Sequence, residues 1–324
     1  MKKRRLLPLL LGALASVAVG SMVVTRLSWQ AVLDLWLTAR PRYLALGFLA
    51  YFAANVLRAR RFRTLTGDQI ATRTMLRTVI IQNVLNTFLP LRAGEVSYLY
   101  MVHKSGMVKA GDNVGSLLGA RVLDLLAALA LPLAALPFSR AAVAEGHAFL
   151  WFALTAAAAS LAFVLGVWRA EPLARWLAGQ AHTQRAWLNR ALTLASDVLT
   201  ALAQLRRGAL LLRVVGLTLG CWGLVYVSGY LNLVGVGVRV PVADAVFAYS
   251  FPNLASMTPF YMLGGFGVFE GTFGMGLHLV GVPLEVAMAS SLVLHVAELL
   301  FVLGLAPVAL LLRVGTVESA HGMS

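Results

Sequence analysis

The arrangement that most constrains this chain is a set of polar residues written twice inside long apolar stretches. Ser116, Arg121 and Asp124 recur as Ser290, His295 and Glu298, each pair separated by 174 positions. Upstream, Glu95 and Glu270 are separated by 175. Each upstream acid follows a break rich in Pro and Gly. The first is Pro90-Leu-Arg92-Ala-Gly94-Glu95, and the second runs from Pro259 through Gly264, Gly265 and Gly267 to Glu270. Ionisable side chains inside apolar segments are costly and mark functional positions. Interrupted hydrophobic segments at matching places in two halves point to a central site between inverted repeats.

The rest of the chain supports a membrane setting. It is 60% hydrophobic and 12% charged, against about 25% charge in a soluble domain. The expected fold is all-α, a polytopic helical bundle forming one integral membrane domain over 1–324, with repeat halves at about 1–140 and 170–315. Six full crossings are expected near 6–25, 43–58, 113–137, 148–168, 211–235 and 285–312. The stretches 75–102 and 245–281 each split into pieces of 11 to 17 residues. Such pieces fall short of a hydrocarbon core about 30 Å thick, so each stretch is read as a re-entrant helical hairpin. Lys2 to Arg5 followed by the apolar stretch Leu6 to Thr25 has a signal-peptide outline, but the stretch is long for one, and a retained first helix is expected.

Charge sets the orientation. With the N-terminus inside, 20 of the 27 Lys and Arg fall on the cytoplasmic side and five on the outer side, with Arg92 and Arg121 left in the membrane. This bias places both termini in the cytoplasm. It also explains the net charge of +14 better than nucleic-acid binding does, because the cations are scattered over loops. Residues 26–42 form the main outer loop. Residues 170–210 carry an amphipathic segment with Leu188, Leu192, Ala195, Leu199 and Leu202 on one face, read as a connector against the inner surface. The lone Cys221 excludes a disulfide within the chain and any multi-cysteine metal site.

The spacing i, i+3 puts Arg121 with Asp124, and His295 with Glu298, on one helix face each. Mutual neutralisation within each pair is one reading. The other is a site, because Glu95, Glu270 and Arg92 bring the ionisable groups to seven, more than helix packing requires. Arg92 and Arg121 suit bidentate binding of a phosphate. Glu95, Asp124, Glu270 and Glu298 suit a cationic head group or proton carriage, and His295 suits a proton relay. Glu95 and Glu270 are expected to meet at one cavity. Gly264, Gly265 and Gly267 are expected to permit a tight turn. No nucleotide-binding loop, hydrolase elbow or metal motif is present, so no cofactor or metal and no enzyme activity is expected.

Asn83 to Glu95, Arg121-Val-Leu-Asp124-Leu-Leu and Gly264-Gly265-Phe-Gly267-Val-Phe-Glu270 together resemble the lysylphosphatidylglycerol synthase transmembrane, or flippase-like, family. The resemblance spans nearly the whole chain, with one departure: Pro259 is separated from Gly264 by the four residues Phe-Tyr-Met-Leu rather than standing close to it. It implies a multi-pass protein of the bacterial inner membrane that moves lipid between leaflets, with a polar or phosphate-bearing lipid as partner. Stand-alone members include proteins associated with hopanoid biosynthesis, and the length suits that group. The aminoacyl-transferase domain of the larger synthases has no room here, so their synthetic activity is not expected. Two alternatives stay open: a lipid-holding partner of a biosynthetic enzyme, and a membrane-embedded lipid transferase.

Overall fold

The computed structural model describes residues 28–89, 92–140, 146–180, 186–203, 208–257 and 263–312. The expected first crossing at 6–25, Pro90 and Pro259 lie outside them. Among the described residues the regular structure is all helical. Three helices among these residues are long and apolar enough to cross a membrane: Ala110–Phe138, Gly208–Gly235 and Leu284–Leu311.

The helices are α1 (Trp29–Leu37), α2 (Pro41–Leu65), α3 (Thr72–Phe88), α4 (Ala93–Lys104), α5 (Ala110–Ala135), α6 (Gly146–Gln180), α7 (Ala186–Ala203), α8 (Gly208–Gly235), α9 (Val242–Ser256), α10 (Val268–Leu279) and α11 (Leu284–Leu311). The expected outer loop at 26–42 therefore contains a helix, started by the Ser28 hydroxyl accepting the Ala31 N–H. The amphipathic segment forms α7, which packs on α5 and α6. Leu188, Leu192, Ala195 and Leu199 are half-buried there, while Asp197 is exposed.

Both interrupted stretches are split in two. The pieces α3 and α4 have 17 and 12 residues, and α9 and α10 have 15 and 12. At 1.5 Å per residue none exceeds about 26 Å. The order long, short, short, long thus occurs twice, as α2 to α5 and as α8 to α11. The packing repeats as well. The long helices α2 and α8 run against each other, α3 pairs with α4, and α9 pairs with α10. Across the sets, α3 docks on α11 and α9 docks on α5.

The molecule is apolar outside and polar within. Leu118, Leu125, Leu212, Leu219, Leu300 and Leu310 are exposed. Asn55, Arg61, Asp124, Thr218, Asn232, Glu270 and His295 are buried. A water-soluble fold distributes these residue types the other way, and apolar surface on this scale marks a lipid-facing exterior.

Local sequence explains the two breaks. Arg92, just before α4, adopts a left-handed conformation with φ 56° and ψ 42°, which is unfavourable for a residue with a β-carbon. Gly94 lies inside the first turn of α4 rather than at the break itself. A β-carbon there would sit 2.0 Å from the Gln82 carbonyl oxygen of α3, so glycine lets the two short helices close on each other. In the second break Gly264, Gly265 and Gly267 all have positive φ, near 80°, which glycine alone adopts without strain.

Candidate functional site

The two sets of helices enclose a polar cavity of about 210 Å³. Helix α2 contributes Tyr51 and Arg58, α3 contributes Asn83 and Asn86, and Arg92 stands at the first break. Arg121 and Asp124 come from α5. From the second set come Trp222 on α8, Asn253 on α9 and Glu298 on α11. A second cavity of about 160 Å³ shares Tyr51, Thr87, Asn253, Ser256 and Glu298 with the first and reaches Gly264 and His295. A third, of about 420 Å³, shares Arg92, Arg121, Asp124 and Met257 with the first. It adds Glu95, Leu125 and Leu254, and so lies between α5 and α9. Leu125 is exposed, so this groove leads from the arginines to the apolar surface.

The ion pairs differ from those the helix spacing suggested. Asp124 is held by Arg61, with the guanidinium donating to Oδ1 at 2.6 Å and to Oδ2 at 3.1 Å. Trp222 Nε1 donates to the same Oδ1 at 2.9 Å. Arg121 is 3.9 Å from Asp124 but 3.0 Å from Glu95 Oε1. Arg92 shares that oxygen at 2.6 Å, and its Nη1 donates to the Met257 carbonyl at the end of α9 at 2.7 Å.

His295 likewise pairs with the acid of its hairpin, Glu270, rather than with Glu298. Its Nδ1 lies 2.7 Å from Glu270 Oε1, and its Nε2 donates to the Gly264 carbonyl at 2.7 Å. A carbonyl can only accept, so Nε2 carries a proton and Nδ1 shares another with the carboxyl. Glu270 Oε2 accepts the Gly267 N–H at 2.7 Å, which caps α10. The imidazole stacks on Phe269 at 4.5 Å. Glu298 forms no ion pair or hydrogen bond among the described residues, and its Oε1 is buried without a partner.

Of the seven ionisable residues singled out in sequence, Arg92, Arg121, Asp124 and Glu298 line one cavity. Glu95 lies on the adjoining groove and His295 on the second cavity. Glu270 stands behind His295, buried. Glu95 and Glu270 belong to separate ion pairs and share none of these cavities. Sequence reasoning missed Arg58 and Arg61, which were counted among the cytoplasmic cations. Helix α2 continues past the end of the apolar run and turns both inward. Arg61 is fully buried, and Arg58 is half-buried with no ion pair among the described residues. Their i, i+3 spacing, in register with Tyr51 and Asn55, was the available signal. Among the described residues no cluster of His, Cys, Asp and Glu suits a metal.

The family model for the lysylphosphatidylglycerol synthase TM region matches residues 9–306. The chain belongs to this family. The lysylphosphatidylglycerol synthase TM family comprises membrane proteins of lipid biosynthesis or translocation, and its model covers both helix sets and all seven residues above. The match carries no association with hopanoids. No curated protein and no solved structure matches the chain.

Proposed function

We propose that the protein is a lipid translocase of the bacterial inner membrane, moving a lipid with a phosphate-bearing head group between leaflets. The observation that carries this reading is the convergence of Arg58, Arg92 and Arg121 on one cavity that adjoins a groove to the apolar surface. Guanidinium groups match phosphate oxygens in pairs. With the carboxylates around the cavities ionised and His295 with Glu270 counted as neutral, Arg58, Arg61, Arg92 and Arg121 still exceed Glu95, Asp124 and Glu298 by one positive charge. That surplus attracts a monoanionic phosphodiester. At about 210 Å³ the cavity is below the size of common small-molecule pockets. It suits a head group whose acyl chains stay in the bilayer and pass along the groove beside Leu125 and Leu254.

In this reading six crossings and two re-entrant hairpins form an inverted repeat, with both termini cytoplasmic. Support comes from the short helices of each hairpin, the exchanged docking of α3 on α11 and α9 on α5, and the cation bias. The pairing of Arg121 with Glu95, 26 positions apart, is matched by that of His295 with Glu270, 25 positions apart. Broken backbone at membrane depth is tolerated where protein buries it or it lines a wet cavity, and Arg92 and Gly264, which flank the two breaks, each line one of the cavities.

Leaflet transfer tests the function. Purified protein in proteoliposomes should move a fluorescent anionic phospholipid between leaflets faster than protein-free vesicles do. Binding of that lipid without faster transfer would replace the reading with that of a lipid-holding partner. The orientation has its own test in a Cys221→Ser background. A cysteine at exposed Phe138 should react with an impermeant maleimide from outside whole cells, and one at Gln180 only after the cells are opened. Labelling of the Gln180 position from outside would reverse the topology.

A further inference from the structure

We propose that Glu298 is a proton-binding site coupled to the anion site, so that one proton travels with each anionic head group. This rests on the reading of the cavity as a phosphate site and adds the coupling ion to it.

The starting point is an asymmetry between the two repeats. Three of the four acids in the repeated pattern are satisfied. Glu95 holds Arg92 and Arg121, Asp124 holds Arg61 and Trp222, and Glu270 holds His295 and the Gly267 N–H. Glu298 occupies the position matching Asp124 and has none of these partners. It nevertheless lines both of the joined cavities. An ionised carboxylate in that position has no direct partner to compensate its lost hydration, whereas a protonated one carries no charge to compensate.

The groups around it set the sign of the coupling. Tyr51 and Arg58 line the same cavity from α2, Arg92 from the first break, and Arg121 and Asp124 from α5. From α9 comes Tyr249, while α3 and α8 present amides and Trp222 but no charge. On its own helix His295 lies one turn earlier, with Glu270 of α10 behind it. Ionised Glu298 opposes the attraction of the three guanidiniums for an anion, and protonation removes that opposition. Binding is reciprocal, so an anion in the cavity favours the protonated form to the same extent. The proton comes from cavity water and adds to a carboxylate oxygen, so proton and anion enter together rather than in exchange. Sodium fits poorly, because a hard cation needs several oxygen ligands and here a single unpaired carboxylate shares its cavity with three arginines.

The test is calorimetric titration of the purified full chain in detergent with dihexanoylphosphatidylmethanol, an anionic phosphodiester with no other ionisable group. Two buffers of different ionisation enthalpy give the protons taken up per lipid bound. The wild type should take up close to one proton across part of the range from about pH 6 to pH 9. Its affinity should fall with rising pH there, by at most about tenfold per unit. Glu298→Gln should bind without uptake and with an affinity flat in pH, and Glu298→Asp should keep the uptake. If Glu298→Gln does not fold, infrared difference spectra of the wild type decide: adding lipid should raise a protonated-carboxyl band. Lipid binding by the wild type without proton uptake, or without that band, would overturn the proposal alone. So would uptake that persists in folded Glu298→Gln, or binding that sodium promotes at constant pH. No lipid binding at all would overturn the phosphate reading beneath it.

Discussion

Asp124→Ala should be the most damaging single substitution in the protein, costing about 3–5 kcal/mol of stability. It strands the guanidinium of Arg61, which is 0% exposed, and it removes the acceptor of Trp222 Nε1. A buried charge without its counter-ion costs far more than the pair contributes when intact. Replacing both partners, as Arg61→Met with Asp124→Leu, should therefore recover most of the loss. Thermal unfolding of the detergent-solubilised protein, followed by tryptophan fluorescence, reads both. A wild-type melting temperature for Asp124→Ala would show that the pair has no part in holding α2, α5 and α8 together.

Arg121→Lys should slow leaflet transfer of an anionic phospholipid by about tenfold to a hundredfold while leaving the fold intact. The range is what one or two charge-assisted hydrogen bonds are worth. Lysine keeps the charge opposite Glu95 but loses the planar fork that meets two phosphate oxygens. The substitution is informative because Asp124 does not depend on Arg121, being held by Arg61 at 2.6 Å. Arg121→Leu should be at least as slow. Transfer by Arg121→Lys at the wild-type rate, with unchanged lipid affinity, would remove Arg121 from the head-group site.

Much of the architecture is written in the chain's hydropathy. Long apolar runs specify long helices, and the Pro/Gly breaks near Pro90 and Gly264 coincide with the short pairs α3–α4 and α9–α10. The residues of the cavity were partly legible for a related reason. A charge inside an apolar run is conspicuous, which brought forward Arg92, Arg121, Asp124 and Glu298. The partners were not legible. Spacing of i, i+3 reports a shared helix face, and it suggested Arg121 with Asp124 and His295 with Glu298. Which carboxylate lies across that face depends on the neighbouring helix, here α4 for Arg121 and α10 for His295. Arg58 and Arg61 were hidden by the same hydropathy that revealed the rest. Four arginines between positions 58 and 63 end the apolar run and read as a loop, yet α2 continues to Leu65. What holds it is tertiary: Asp124 and Thr218 both accept from Arg61.

The ion pairs around the cavity also bear on how the chain is made. Arg61 with Asp124, and Arg92 and Arg121 with Glu95, all close among residues 61 to 124, and His295 with Glu270 closes within the last third of the chain. Synthesis delivers the N-terminal portion first. The earlier set of helices can therefore give Arg61, Arg92 and Arg121 a carboxylate contact before α8 to α11 exist, with Arg58 as the exception. Few arginines then wait unpaired for the later helices, whose part is to complete the cavity walls.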